Sequence, residues 1–158
     1  MFCIYSGSRR NAIRQLVLVV LIFVSAFFAV AAAQSSAPVP IIPDSIRWVS
    51  PPNMPGIQAA WILGAEQKPG AYILRVKLAK GTKIPPHTHP DERNTTVLKG
   101  TIYVGFGETF DEAKVVAIPA GAVYVAPANV PHYVWARDGD AMYQEAGVGP
   151  TDTALLEQ

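Results

Sequence analysis

The stretch Gly81-Thr82-Lys83-Ile84-Pro85-Pro86-His87-Thr88-His89-Pro90-Asp91-Glu92-Arg93 carries two of the three histidines in the chain, spaced i, i+2. On a β-strand alternate side chains share a face, so His87 and His89 offer their imidazoles to one point. The third histidine, His132, opens the apolar run His132-Tyr133-Val134-Trp135, after a Pro-x-x-x-Pro stretch from Pro127 to Pro131. In a closed barrel the inward faces of separate strands meet on a common axis, where one metal ion can join all three rings. Imidazole suits iron, zinc, nickel and copper, with manganese a further divalent candidate. A three-histidine site also leaves positions for water or substrate. A His-x-His pair alone is common on protein surfaces. The sequence around it has to decide.

Outward from this stretch the pattern is strands and turns. Ala71-Tyr72-Ile73-Leu74-Arg75-Val76-Lys77-Leu78 alternates, with apolar residues of one parity and two cations in the other. Further strand-like runs are 59–63, 95–106, 115–118, 123–126, 132–135 and 141–145. Lys68-Pro69-Gly70, Lys80-Gly81, Pro119-Ala120-Gly121 and Asp138-Gly139-Asp140 read as turns between them. Only Glu108 to Lys114 suggests a helical turn. Many short strands in one small domain predict an all-β barrel or sandwich. The 14 prolines all follow position 37, mostly at strand boundaries where a ladder must stop. Residues 34–45 read as an extended, proline-rich arm before a barrel domain over 46–158.

The hydrophobic fraction of 50% is concentrated at the start of the chain. Residues 16–33 run without a charge, preceded by Arg9, Arg10 and Arg14 and ending in Ala31-Ala32-Ala33. A basic start, an apolar stretch and a small-residue end make a secretory signal peptide over 1–33, implying a periplasmic or secreted protein. An uncleaved membrane anchor is the competing reading, because 18 apolar residues just span a bilayer. Ser8-Arg9-Arg10 also allows twin-arginine export. The single cysteine, Cys3, lies in this segment, so the remainder has neither disulfide nor thiolate ligand. Lys and Arg total 13 against 12 Asp and Glu; setting aside the three arginines of the signal leaves a slightly acidic chain. Nothing in it suggests nucleic acid, or a membrane after cleavage.

Gly81 to Gly100 resembles the first motif of the cupin superfamily: Gly, five residues, His-x-His, three or four residues, Glu, six residues, Gly. Gly121 to Ala136 resembles the second: Gly, five residues, Pro-x-Gly, two residues, His, three residues, Asn. The resemblance covers most of residues 58–148 and implies a double-stranded β-helix, the jelly-roll cupin barrel. It also implies dimerisation by strand or sheet packing, with the proline-rich arm within reach of a partner.

Three positions depart from the family pattern. Asn129 replaces the glycine, a mild change because asparagine tolerates left-handed turn geometry. Ala136 replaces the final asparagine. Most informative, Arg93 stands where the resemblance places an acidic metal ligand, and a guanidinium cannot give up its proton to bind metal. Two arrangements are open. A bulge turns Glu92 inward to complete a three-His, one-carboxylate site; or the metal has three neutral ligands, with Arg93 nearby or paired to Glu145 or Asp91. The second favours anionic ligands and a more labile metal. Gln144, Glu145 and Tyr103 are candidates for contacts around the histidines. Tyr103, Tyr124, Tyr133, Trp135 and Phe106 read either as pocket wall or, more commonly for barrel aromatics, as core.

The expected function is a metal-dependent enzyme, oxygenase-like or isomerase-like, acting on a small molecule. The alternatives are a non-catalytic metal- or ligand-binding module and a structural barrel with vestigial ligands.

Overall fold

A computed structural model describes residues 37 and 39–156. The signal segment, Cys3 and the Ala31–Ala33 cleavage site lie outside them, as does most of the expected arm before Pro40. The chain divides into two units, Met1–Val39 and Pro40–Gln158, and the second holds every element that follows.

Ten strands are described: β1 (Ile57–Leu63), β2 (Gly70–Leu78), β3 (Lys83–Thr88), β4 (Arg93–Lys99), β5 (Thr101–Phe106), β6 (Val116–Pro119), β7 (Val123–Ala126), β8 (His132–Trp135), β9 (Ala141–Gly149) and β10 (Ala154–Leu155). They form two five-stranded sheets, in the orders β1-β2-β9-β4-β7 and β10-β3-β8-β5-β6, with every pairing antiparallel. This is the jelly-roll cupin barrel that the motifs imply. The alternation in β2 sends Tyr72, Val76 and Leu78 inward, all at most 5% exposed, while Arg75 reaches Gln144 on the neighbouring strand. Between the sheets Ile57, Val76, Leu78, Ile84, Val97, Ile102, Val104, Val134 and Ala141 pack into one cluster with Tyr143. Each fully buried aliphatic side chain of this kind stabilises the barrel by about 1.5–3 kcal/mol.

The structure differs from the sequence reading at four places. The run 95–106 is two strands, because Gly100 takes φ 72 and the chain there crosses from one sheet to the other. A Cβ at Gly100 would collide with the Asp140 carbonyl, so the crossing admits only glycine without strain. The 108–114 segment forms a turn and no helix, closed by the Asp111 carboxylate accepting from the Ala113 N–H at 2.9 Å. Strand β9 continues to Gly149, four residues beyond the expected end. The arm is not extended throughout: Pro43–Ser45 make a 3-10 turn, and Ser45 Oγ donates to the Ile42 carbonyl at 2.8 Å.

Candidate metal centre

His87 on β3 and His132 on β8 stand directly opposite one another across the ladder. Strict alternation from the inward Ile84 would point Pro86 and Thr88 into the barrel and turn His87 out. The pairing instead shifts register between Ile84 and His87, at Pro85 and Pro86, which have no N–H to continue the ladder. The irregularity turns His87 inward. His89 lies one residue beyond the end of β3, and its carbonyl accepts the Asn129 N–H at 2.7 Å. Asn129 has φ 59, the left-handed conformation that the family glycine position requires.

The three rings meet. Ring centroids lie 4.9 Å apart for His87 and His89, 4.3 Å for His87 and His132, and 5.1 Å for His89 and His132. One nitrogen from each can be chosen so that all lie within 4.8 Å of one another, and each residue is at most 4% exposed. Every Nδ1 faces a backbone carbonyl: Pro85 at 2.7 Å for His87, Val130 at 3.1 Å for His132 and Asp152 at 2.9 Å for His89. A carbonyl only accepts, so each Nδ1 carries the proton and each Nε2 keeps its lone pair. The Nε2 of His89 is buried with no hydrogen-bond partner. Burial, helped by His132, pulls His87 down to about 3, and burial with the Arg93 charge pulls His89 down to about 4. His132 is lowered by burial as well. All three rings are therefore neutral at pH 7, the form that ligates metal. Three buried, neutral, pre-oriented donors with an orphaned nitrogen among them fit a divalent ion.

Among the described residues no carboxylate completes the group. Glu92 is exposed and takes no part in the cluster, whereas Arg93 is 3% exposed. Arg93 Nη1 donates to Glu145 Oε2 at 2.7 Å, and Nη2 donates to Thr151 Oγ1 at 2.9 Å and to the Asp152 carbonyl at 3.2 Å. Its Nε lies 3.7 Å from Asp91 Oδ1, so both acidic partners considered for it from sequence are engaged. Asp91 in turn accepts from the Tyr72 and Thr151 hydroxyls. Burial pushes the Glu145 carboxyl up while the guanidinium draws it down. Arg93 itself is held above its ordinary value: burial disfavours its charge, and Glu145, Tyr72 and Asp91 more than offset that.

The remaining candidates lie elsewhere. Gln144 faces the opposite side of β9 from Glu145 and accepts from Arg75 Nε at 2.9 Å. Tyr103 donates to Asp138 and packs beside Trp135, and Tyr133 stacks on Phe110. Phe106 comes nearest, with its ring centroid 6.1 Å from that of His132. Thr151 and the Asp152 carbonyl escaped the sequence reading. A main-chain carbonyl has no residue signature, and Thr151 lies outside both motifs. A cleft of about 570 Å³ lined by Ile57, Lys77, Leu78, Lys99 and Asp140 contains none of the three histidines.

With the sheets and the histidine cluster established, residues 74–147 match the family Cupin domain. This protein carries a cupin domain. The cupin is 37% identical over 68 residues to Germin-like protein 5-1 of Oryza sativa subsp. japonica, covering 41% of this chain and 30% of that one. It thus spans about a third of the length of the curated relatives it matches. The polyketide cyclase RemF from Streptomyces resistomycificus superposes with a TM-score of 0.64 at 12% identity, over 77% of this chain and 87% of that chain. A mutant of salicylate 1,2-dioxygenase from Pseudoaminobacter salicylatoxidans, in complex with gentisate, gives 0.56 at 17% identity, over 67% and 31%. At such identities the likeness shows the fold alone.

Proposed function

We propose that this cupin holds one divalent metal ion through Nε2 of His87, His89 and His132 and presents the open positions of that ion to a small anionic molecule. The observation that carries the reading is the set of three Nδ1–H···O=C bonds, which commits every ring to the tautomer that aims a lone pair at the others. Three neutral ligands leave the double charge of the ion in place, which favours an enolate, carboxylate or hydroxide as the next ligand. The charge of Arg93 is matched by Glu145, so the attraction comes from the ion. A metal so held supplies Lewis-acid or oxygen-activating chemistry, iron, manganese, zinc, nickel and copper being the candidates. The chain itself contributes burial, which excludes water, and carbonyls that hold the rings.

An oxygenase-like enzyme acting on a small molecule is the reading that the enzyme neighbours support. A non-catalytic binding or sensing module is the second, favoured by one observation: the carboxylates near the histidines are either engaged or turned to solvent, Asp91 among them, held by the Tyr72 and Thr151 hydroxyls. Glu145 is bound by Arg93 and Glu92 is exposed. The apolar segment over 1–33 is read as an export signal, placing the site in the periplasm or outside the cell.

The test is metal analysis of the purified protein beside His87→Ala and His132→Ala. One equivalent in the parent and almost none in either variant is expected; equal content in all three would overturn the shared site. Oxygen uptake by the iron-loaded protein across a panel of small enols and hydroxy acids separates the enzyme from the binder. The mass of the exported protein checks cleavage near Ala33.

A further inference from the structure

His89 is held differently from the other two histidines. His87 and His132 each bond a carbonyl two residues back in their own segment, so a formed strand is enough to orient them. His89 instead bonds the carbonyl of Asp152, 63 residues further along the chain, with Thr153 Oγ1 at 3.3 Å. That carbonyl belongs to the segment after β9, which is fastened over the site at several points. The Thr151 N–H donates to the Glu66 carbonyl at 2.8 Å and the Leu156 N–H to the Pro86 carbonyl at 3.0 Å. Strand β10 pairs with β3, placing Leu155 opposite His87. From inside the barrel, Arg93 Nη2 grips both Thr151 Oγ1 and the same Asp152 carbonyl that His89 uses.

We infer that Arg93 is a positioning residue for the metal centre: it clamps residues 150–156 from within and thereby aims Nε2 of His89 at the ion. The inference rests on the reading of the three histidines as ligands. In place of a carboxylate that would touch the metal, the chain has a cation that acts one carbonyl away. The geometry gives a physical reason for each part. Glu145 fixes the guanidinium from one side, so its second nitrogen is presented in a set direction to the segment. Asp91 accepts from the Thr151 hydroxyl and holds it in place to receive the Arg93 bond. Without the clamp, the Asp152 carbonyl is held only by the main-chain bonds on either side of it, and the His89 ring is tied less firmly to the contact that selects its tautomer. Coupling of this kind is reciprocal: metal on His89 must also tighten the segment.

The experiment compares the full-length parent with two variants. Thr151→Val removes one arm of the clamp and leaves the Arg93–Glu145 pair intact. Arg93→Met combined with Glu145→Leu removes both members of the closest pair, and Asp91 keeps the Tyr72 and Thr151 hydroxyls as donors. Leu78→Ala, in the apolar core, is the control for a purely structural loss. Zinc affinity is read by competition, the nitrogen ligands by electron paramagnetic resonance of the copper-loaded protein, and the Thr151 and Leu156 amides by hydrogen exchange. The double variant is expected to lose roughly 10–100-fold in zinc affinity and to drop one nitrogen from the copper spectrum. Thr151→Val moves the same way by less, Leu78→Ala leaves both readouts unchanged, and zinc slows exchange of both amides in the parent.

Folded variants with parental affinity and three nitrogens would overturn the role of Arg93, as would exchange rates indifferent to zinc. Should the double variant fail to fold, Thr151→Val and the exchange measurement decide alone. A parent that takes up no metal removes the proposed function first, and this inference with it.

Discussion

The two ends of the barrel interior are built on the same strands and do opposite things. Along β4 the inward residues are Val97, Thr95 and Arg93; along β9 they are Ala141, Tyr143 and Glu145. Strand β8 passes from Val134 to His132, and β3 from Ile84 to His87. At the end with Val97, Ala141 and Ile84 the inward side chains are apolar and leave water together. At the other end Thr95, Arg93, Glu145 and the three histidines face inward, and Arg93 and His89 find their partners on elements distant in sequence. One need there goes unmet and one is met only loosely: His89 Nε2 is buried without a hydrogen-bond partner, and Arg93 Nε has the Asp91 carboxylate at 3.7 Å, beyond hydrogen-bond range. The comparison teaches that one barrel divides its labour along its length. The apolar end supplies stability, and the polar end tolerates instability in order to place donors.

If the division is real, its largest signature is at the buried ion pair. Glu145→Ala leaves the Arg93 charge buried without its closest partner and is expected to destabilise the fold by about 3–5 kcal/mol. Replacing Arg93 and Glu145 together by Met and Leu should recover most of that in a urea titration; no recovery would mean that the pair itself holds the barrel together. Next comes Leu78→Ala at the apolar end, expected to cost about 2–5 kcal/mol by the same measurement. Its effect should add to that of a histidine variant, because the sites share no partners; strong coupling would dissolve the distinction between the ends. Zinc at a hundredfold excess over its Kd should then raise the stability of the parent by about 2.7 kcal/mol. His132→Ala should gain nothing from zinc in the same melt, and an equal gain would place the ion elsewhere. The smallest expected effect is at the crossing between sheets. Gly100→Ala should cost about 1–3 kcal/mol from the left-handed backbone and the contact of the new Cβ with the Asp140 carbonyl together, with metal content unchanged once folded.

Much of this was legible in the residues because it depends on spacing. Period-two alternation located β2, and His87 with His89 at i, i+2 foretold two rings on one face. The two motifs led to the barrel and to His132. What stayed hidden depends on exceptions to spacing. Residues 95–106 read as one strand although Lys99-Gly100 repeats the Lys-Gly pair read as a turn at 80–81, and what separates the two strands is the positive φ of Gly100, a backbone fact. Strict parity from Ile84 would turn His87 outward, and only the irregularity at Pro85-Pro86 restores it. At position 93 the sequence left Glu92 and Arg93 in competition. Burial decides their placement: the carboxylate stays in solvent while the guanidinium is enclosed by Glu145, Thr151 and Asp152.

The register that sets His87 against His132 has a consequence for the life history of the protein. Those residues come from segments well separated along the chain, and a pairing of that range closes late in folding. A nascent or unfolded chain offers an ion little more than the His-x-His pair, a weak chelate with no shelter. The three-pronged cage exists only once β3 and β8 have joined. On the proposed function, metal follows folding instead of guiding it, and the compartment in which the barrel closes decides which ion the site takes.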